Sequence, residues 1–176
     1  MSAPANPIAL VAWRPAVEQL TLASAPHNVR AIVIRPGVVY GRGRGIPADF
    51  ARSARETGAA RYVGDGANRW PMIHADDLAR LYVLALERGA SCALYHAGDD
   101  SAYRVKEIAQ AASLGAGAGG RTESWPLEEA RKQLGAYADA LVLDQRISSE
   151  RAKREMGWSA RAASILDDLR SGSYIA

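Results

Sequence analysis

Val29-Arg30-Ala31-Ile32-Val33-Ile34-Arg35-Pro36-Gly37 contains, at residues 29–33, a short run of apolar, mostly β-branched side chains. A run of this length without polar alternation predicts a strand buried on both faces, as in a parallel sheet. Upstream, Pro15 suits a first helical position because it has no N–H to satisfy, and Val17, Leu20, Leu22 and Ala23 give that helix an apolar side. Helix followed by buried strand is the grammar of an α/β fold. Ala3-Pro4-Ala5-Asn6-Pro7 is too proline-rich for regular structure, so residues 1–13 read as an irregular segment and 14–176 as one folded unit.

Downstream the same grammar continues. Residues 41–45, with glycine at alternate positions, form a loop; 47–57 read as a helix and 60–63 as a short strand before Gly64-Asp65-Gly66. In the clearest helix, Asp76 is placed to cap, Asp77 adds a carboxylate at the positive end, and Leu78, Leu81, Tyr82, Ala85 and Leu86 recur at helical spacing. Residues 92–97 read as a further buried strand. Beyond them lie a helix at 105–114, an extended piece at 122–125, and helices near 127–143, 148–156 and 164–170.

Composition narrows the function classes. With 176 residues, 48% of them hydrophobic, the chain can bury one core, and 22 Lys and Arg against 19 Asp and Glu leave a charge of only +3. No nucleic-acid or membrane partner is expected from so balanced a charge. Cys92 stands alone, which excludes an internal disulfide framework and fits a reducing cytoplasm; its apolar neighbours predict a buried structural thiol. No apolar run approaches the ~20 residues of a membrane span, and the first residues lack a basic targeting region.

Four motifs invite chemistry. Gly115-Ala116-Gly117-Ala118-Gly119-Gly120 satisfies G-x-G-x-x-G, but it follows a helix, whereas a dinucleotide turn joins a strand to a helix; it reads as a helix-terminating loop. Residues 41–45 are better placed for a phosphate, with Arg42 and Arg44 as partners, against the plain reading of an exposed loop. His74, Asp76 and Asp77 match no metal-ligand spacing, so no metal is expected, and His96 reads as a satisfied strand-end histidine. Trp70-Pro71 beside Asn68-Arg69 reads either as a pocket wall or as packing.

Taken together these segments resemble a known family. Arg35-Pro36-Gly37-Val38-Val39-Tyr40-Gly41 is similar to the turn after the sixth sheet strand of extended short-chain dehydrogenases/reductases of the NAD-dependent epimerase/dehydratase type. Residues 64–81, from Gly64-Asp65-Gly66 through Asn68-Arg69-Trp70-Pro71 and His74 to Leu81, resemble a second signature of that family. Ala93-Leu94-Tyr95-His96-Ala97, Ser148-Ser149, Met156-Gly157-Trp158 and the ending Gly172-Ser173-Tyr174 also match, in order, over about residues 14–174.

The resemblance implies the C-terminal part of a Rossmann-type parallel sheet with a small, mostly helical substrate domain. It implies NAD(P) as cofactor and a nucleotide sugar or other small carbonyl compound as substrate. Pro36, Gly37 and Tyr40 are then cofactor-side, and Asn68, Arg69, Trp70 and His74 substrate-side. Two departures limit this. The family's glycine-turn βαβ unit does not precede Pro15 here, and none of the seven tyrosines has a lysine four residues on, so the Tyr-x-x-x-Lys acid/base pair is missing and no catalytic residue is assigned. Alignment places Leu10 and Arg14 at the pair's positions. The expectation is a family protein inactive by itself, a homo-oligomer or the partner of a chain supplying the other half. The alternative is a non-catalytic binding module or a truncated remnant.

Overall fold

A computed structural model describes residues 6–25 and 28–175; Ala3-Pro4-Ala5 lies outside them. Four two-stranded pairings organise the chain. Strand β1 (Ile32–Pro36) runs parallel to β6 (Ala93–Ala97), with Arg35 opposite His96. β2 (Val38–Tyr40) runs parallel to β5 (Met72–His74), and β3 (Ala60–Val63) to β8 (Thr122–Trp125). The antiparallel pair is β4 (Arg69–Trp70) with β7 (Tyr103–Arg104). Parallel pairs need crossovers, and helices supply them. The protein is thus α/β, with the parallel pairing of a Rossmann-type sheet and a mostly helical remainder.

The helices are α1 (Arg14–Ala23), α2 (Ile46–Thr57), α3 (Ala75–Arg88), α4 (Val105–Gly115), α5 (Leu127–Leu134), α6 (Tyr137–Leu141), α7 (Glu150–Met156) and α8 (Ile165–Ser171). Their ends follow local chemistry. Pro47 sits in the first turn of α2, which stops at Gly58 in the left-handed region, φ 80°. At α4 the Glu107 carboxylate accepts from the Arg104 amide at 2.7 Å, which satisfies the N–H of the residue that opens the helix.

Burial concentrates in two large clusters. One joins Tyr40, Phe50, Trp70, Met72, Val105, Ile108, Ile165 and Leu169; the other joins Ile73, Leu81, Tyr95, Met156 and Trp158 around β6 and α3. The first cluster ties β2, α2 and β4 to α4 and α8, and so holds the walls of the cavity described below.

Several expectations are corrected. The first strand begins at Ile32 and is only half-buried, because among the described residues its other edge pairs with no strand. The cap of α3 is the His74 side chain, whose Nδ1 accepts from the Asp76 amide at 3.1 Å; Asp76 instead pairs with Arg42. On α3, Leu81 and Ala85 are buried while Tyr82 and Leu86 are exposed, and α1 buries no residue at all. The helix expected at 127–143 is two, interrupted at Gly135 where φ is 57°. Cys92 is exposed and its thiol reaches the Leu22 carbonyl at 3.4 Å. Residues 1–13 are not wholly irregular: Ala9–Val11 form a 3-10 turn.

Candidate substrate pocket

A cavity of about 250 Å³ opens between α2, β3 and the helices α5 and α6. Phe50 and Ser53 project from α2, Tyr62 and Val63 from β3, and Trp70 from β4; Trp125 at the end of β8 and Tyr137 at the start of α6 close it. Trp70 is 3% exposed and stacks on Phe50. Ser53 Oγ donates to the Phe50 carbonyl and accepts from the Arg61 amide, so it is committed to holding β3 beside α2. Arg61 lies 4.3 Å over the Trp125 ring, a cation–π contact.

The residues predicted as substrate-side separate here. Trp70 lines the cavity. Asn68 donates from Nδ2 to the carbonyls of Leu141 and Leu143, both at 3.0 Å, and so pins the end of α6 against the strand that leads to Trp70. Arg69 is fixed through its backbone: its amide donates to Asp144 at 2.6 Å and its carbonyl accepts from the Gln145 amide at 3.0 Å. His74 caps α3 and meets the Tyr40 ring edge-on, with centroids 5.2 Å apart; it is not among the residues lining the cavity.

The cofactor-side candidates sit at the C-terminal ends of β1 and β2. Gly37 donates to the Ala97 carbonyl at 2.9 Å, and a Cβ there collides with the Pro71 carbonyl, so glycine is required by packing. Pro36 ends β1 at the exposed rim. Tyr40 is buried and donates to the Ala163 carbonyl at 2.7 Å; burial, with Asp99 adding to it, raises the phenol's pKa far above its usual range. It is therefore a neutral hydrogen-bond donor at physiological pH.

Residues 41–45 are clasped by the chain's end. The Tyr174 hydroxyl accepts from the Gly41 amide at 2.8 Å and donates to the Arg44 carbonyl at 2.6 Å, while Ser173 Oγ accepts from the Gly43 amide at 3.0 Å. Asp168 holds Ser173 in turn, through the Ser173 amide at 2.7 Å and hydroxyl at 3.0 Å. Two amides that a phosphate needs are thus already engaged. The run 115–120 ends α4, as its context predicts, and forms no strand-to-helix turn. Among the described residues no cluster of three or more His, Cys, Asp or Glu can hold a metal, and no helix is long and apolar enough to cross a membrane.

Residues 14–98, which carry β1, β2, the clasped loop and Trp70, match the model of the NAD dependent epimerase/dehydratase family. Over that stretch the chain is similar to that family. The chain is also 33% identical over 164 residues to an uncharacterized protein of Schizosaccharomyces pombe, the match covering 89% of this chain and 53% of the relative. An uncharacterized protein of Saccharomyces cerevisiae is 29% identical over 160 residues, covering 90% and 53%. The chain therefore spans about half the length of the curated relatives it matches. Among solved structures, it resembles a dTDP-glucose 4,6-dehydratase of Streptomyces venezuelae with NAD bound, with TM-score 0.75, 21% identity, and coverage of 98% of this chain and 52% of that one. It also resembles RMD of Pseudomonas aeruginosa complexed with NADPH, with TM-score 0.70, 21% identity and coverage of 98% and 56%. These likenesses establish the Rossmann-type fold.

Sequence reasoning missed most of the pocket. Phe50, Tyr62 and Tyr137 carry no motif, and only their convergence from three separate elements makes them a wall. The clasp is half visible in the sequence: Gly172-Ser173-Tyr174 resembles the family's ending, but nothing in its spacing points to the loop at 41–45.

Proposed function

We propose that this chain is the substrate-side portion of an NAD(P)-dependent oxidoreductase or epimerase acting on a nucleotide sugar or another small carbonyl compound in the cytoplasm. The observation that carries this reading is Trp70: it lies in the family's signature stretch and also walls the cavity. Asn68 and Arg69 act through backbone placement of that wall, and His74 through the register of β5 against β2.

The described residues do not fit a whole dinucleotide. Affinity for NAD(P) comes largely from amides and a helix N-terminus around the pyrophosphate. The amides of Gly41 and Gly43 are spent on Tyr174 and Ser173, and Pro36-Gly37 offers at most a nicotinamide-end contact. No proton-transfer pair accompanies it, since the Tyr40 hydroxyl is buried and committed to Ala163. The reading is therefore that the described residues do not bind the dinucleotide or turn over substrate by themselves, the pyrophosphate part of the cofactor site lying outside them.

Fluorescence titration of NADPH and NADH tests this. Binding no tighter than about 1 mM, roughly −4 kcal/mol, is the expected result. Saturable binding near 10 μM overturns it. The same failure of the dinucleotide fit favours a second reading, a module that binds ligand without catalysis; ligand binding indifferent to NADPH in a full-length relative supports that one.

A further inference from the structure

We infer that the cavity beside Trp70 takes an uncharged planar aromatic group, and not the diphosphate end of a nucleotide sugar. This rests on reading the cavity as the substrate site, and narrows what that substrate is. Its walls come first. Phe50, Tyr62, Trp70, Trp125 and Tyr137 are five of the chain's twelve Phe, Trp and Tyr residues, and they converge on one cavity from five different elements. Aromatic walls favour stacking and edge-to-face contact with another ring, which adds about 0.5–1.5 kcal/mol per pair beyond the area buried.

Charge decides against a diphosphate. Four ionisable arginine and carboxylate side chains line the cavity, and they cancel: Arg52 and Arg61 against Asp49 and Glu56. Arg52 is paired with Asp49, and Arg61 is held over Trp125. The first turn of α2, next to Ile46 in the lining, carries Pro47, which has no N–H, and the acidic Asp49, whose charge opposes a second anion there. Ser53 is spent on backbone partners. A diphosphate binds where guanidinium forks, ammonium groups or helix amides are free of competing carboxylates; here Arg52 is already paired with Asp49, Arg61 lies over an indole ring, and Asp49 and Glu56 cancel the positive charge.

Size agrees with charge. At about 250 Å³ the cavity lies below the roughly 300–1,000 Å³ typical of pockets that enclose drug-sized ligands, and a nucleotide sugar is larger than most of those. A bicyclic aryl ketone or aldehyde matches the shape, its ring between the aromatic walls. Among the described residues the Tyr62 and Tyr137 hydroxyls make no hydrogen bond to the protein, so either can donate to its carbonyl oxygen.

The test uses the 176-residue protein with two probes, 2-acetylnaphthalene and UDP, followed by calorimetry and by saturation-transfer NMR. The ketone is expected to bind about tenfold tighter than UDP or better. Trp125→Ala, at a half-buried rim position, is expected to weaken the ketone about fivefold, and Trp125→Phe to restore most of that. Asp49→Asn releases Arg52 and is expected to improve UDP binding, narrowing the gap between the two probes. UDP binding as tightly as the ketone overturns the inference but keeps the cavity as substrate site. Ketone binding that ignores Trp125→Ala in a protein with native circular dichroism overturns it too, because the ligand then sits elsewhere. If neither probe binds the folded protein, both the inference and the substrate-site reading fall.

Discussion

Trp70 stacks on Phe50, with ring centroids 5.9 Å apart and planes 12° from parallel. The pair joins β4 to α2 across the first hydrophobic cluster, so one side chain serves packing and pocket at once. Truncation leaves a large cavity, and Trp70→Ala is expected to lower unfolding free energy by about 3–5 kcal/mol. Urea unfolding followed by circular dichroism measures it. A loss under about 1 kcal/mol means that the ring is a pocket wall with little packing role.

Asp77 gives a second prediction. It is 1% exposed, and one carboxylate oxygen accepts from the amides of Arg161 and Ala162, each at 3.0 Å, while the other pairs with Arg80. Its backbone carbonyl also accepts from the Trp158 indole at 3.0 Å. Asp77→Ala leaves the Arg161 and Ala162 amides unpaired and is expected to cost about 3 kcal/mol, with Asp77→Asn costing less because its amide oxygen still accepts. Equal losses for the two variants count against this account.

The junction between α1 and the sheet is sensitive to acid. Arg35 holds Glu18 in a bidentate pair at 3.0 and 2.5 Å, and the hydrogen bond from Arg35 keeps the Glu18 carboxyl below its ordinary value. Burial, reinforced by Arg35, likewise lowers His96, which stands opposite Arg35 in the register. Both groups take up protons more readily when unfolded. Each therefore stabilises the fold above its unfolded pKa and loses that contribution as pH falls through its folded one. Since α1 buries no residue, the protection of amides 14–23, measured as exchange relative to the intrinsic rate at each pH, is expected to fall in two stages: below about pH 6.5, removed by His96→Gln, and below about pH 4.5, removed by Glu18→Gln. Protection that is constant from pH 7 to 4 disproves the linkage.

Self-association should centre on β1. A groove beside its unpaired edge is lined by Ile32, Ile34, Tyr82 and Leu86; Leu86 is 71% exposed, and Leu20 on α1 is 73% exposed. Exposed apolar surface next to an open strand edge seeks another chain. Sedimentation is expected to show a dimer or larger assembly at micromolar concentration, shifted toward monomer by Leu86→Lys. A monomeric parent protein at that concentration removes the proposal.

How far the sequence reached depends on the range of the forces involved. The strand at 60–63, the extended piece at 122–125 and the α4 terminator were legible because propensity, glycine and short-range caps act within a few residues. The family resemblance and the fold class were legible because ordered motifs survive as strings, from Arg35-Pro36-Gly37 to Ala93-Leu94-Tyr95-His96-Ala97. Tertiary structure alone decided which face of each element is covered. Tyr82 and Leu86 follow the same helical period as Leu81 and Ala85, yet only the latter two meet a partner. It alone also assigned the polar groups: His74 rather than Asp76 caps α3, and Tyr174 closes the loop at 41–45 from 130 residues away, between its hydroxyl and the Arg44 carbonyl. The physical reason is that a hydrogen-bond donor or a ring has many chemically equivalent partners along a chain, and only packing brings one of them within reach.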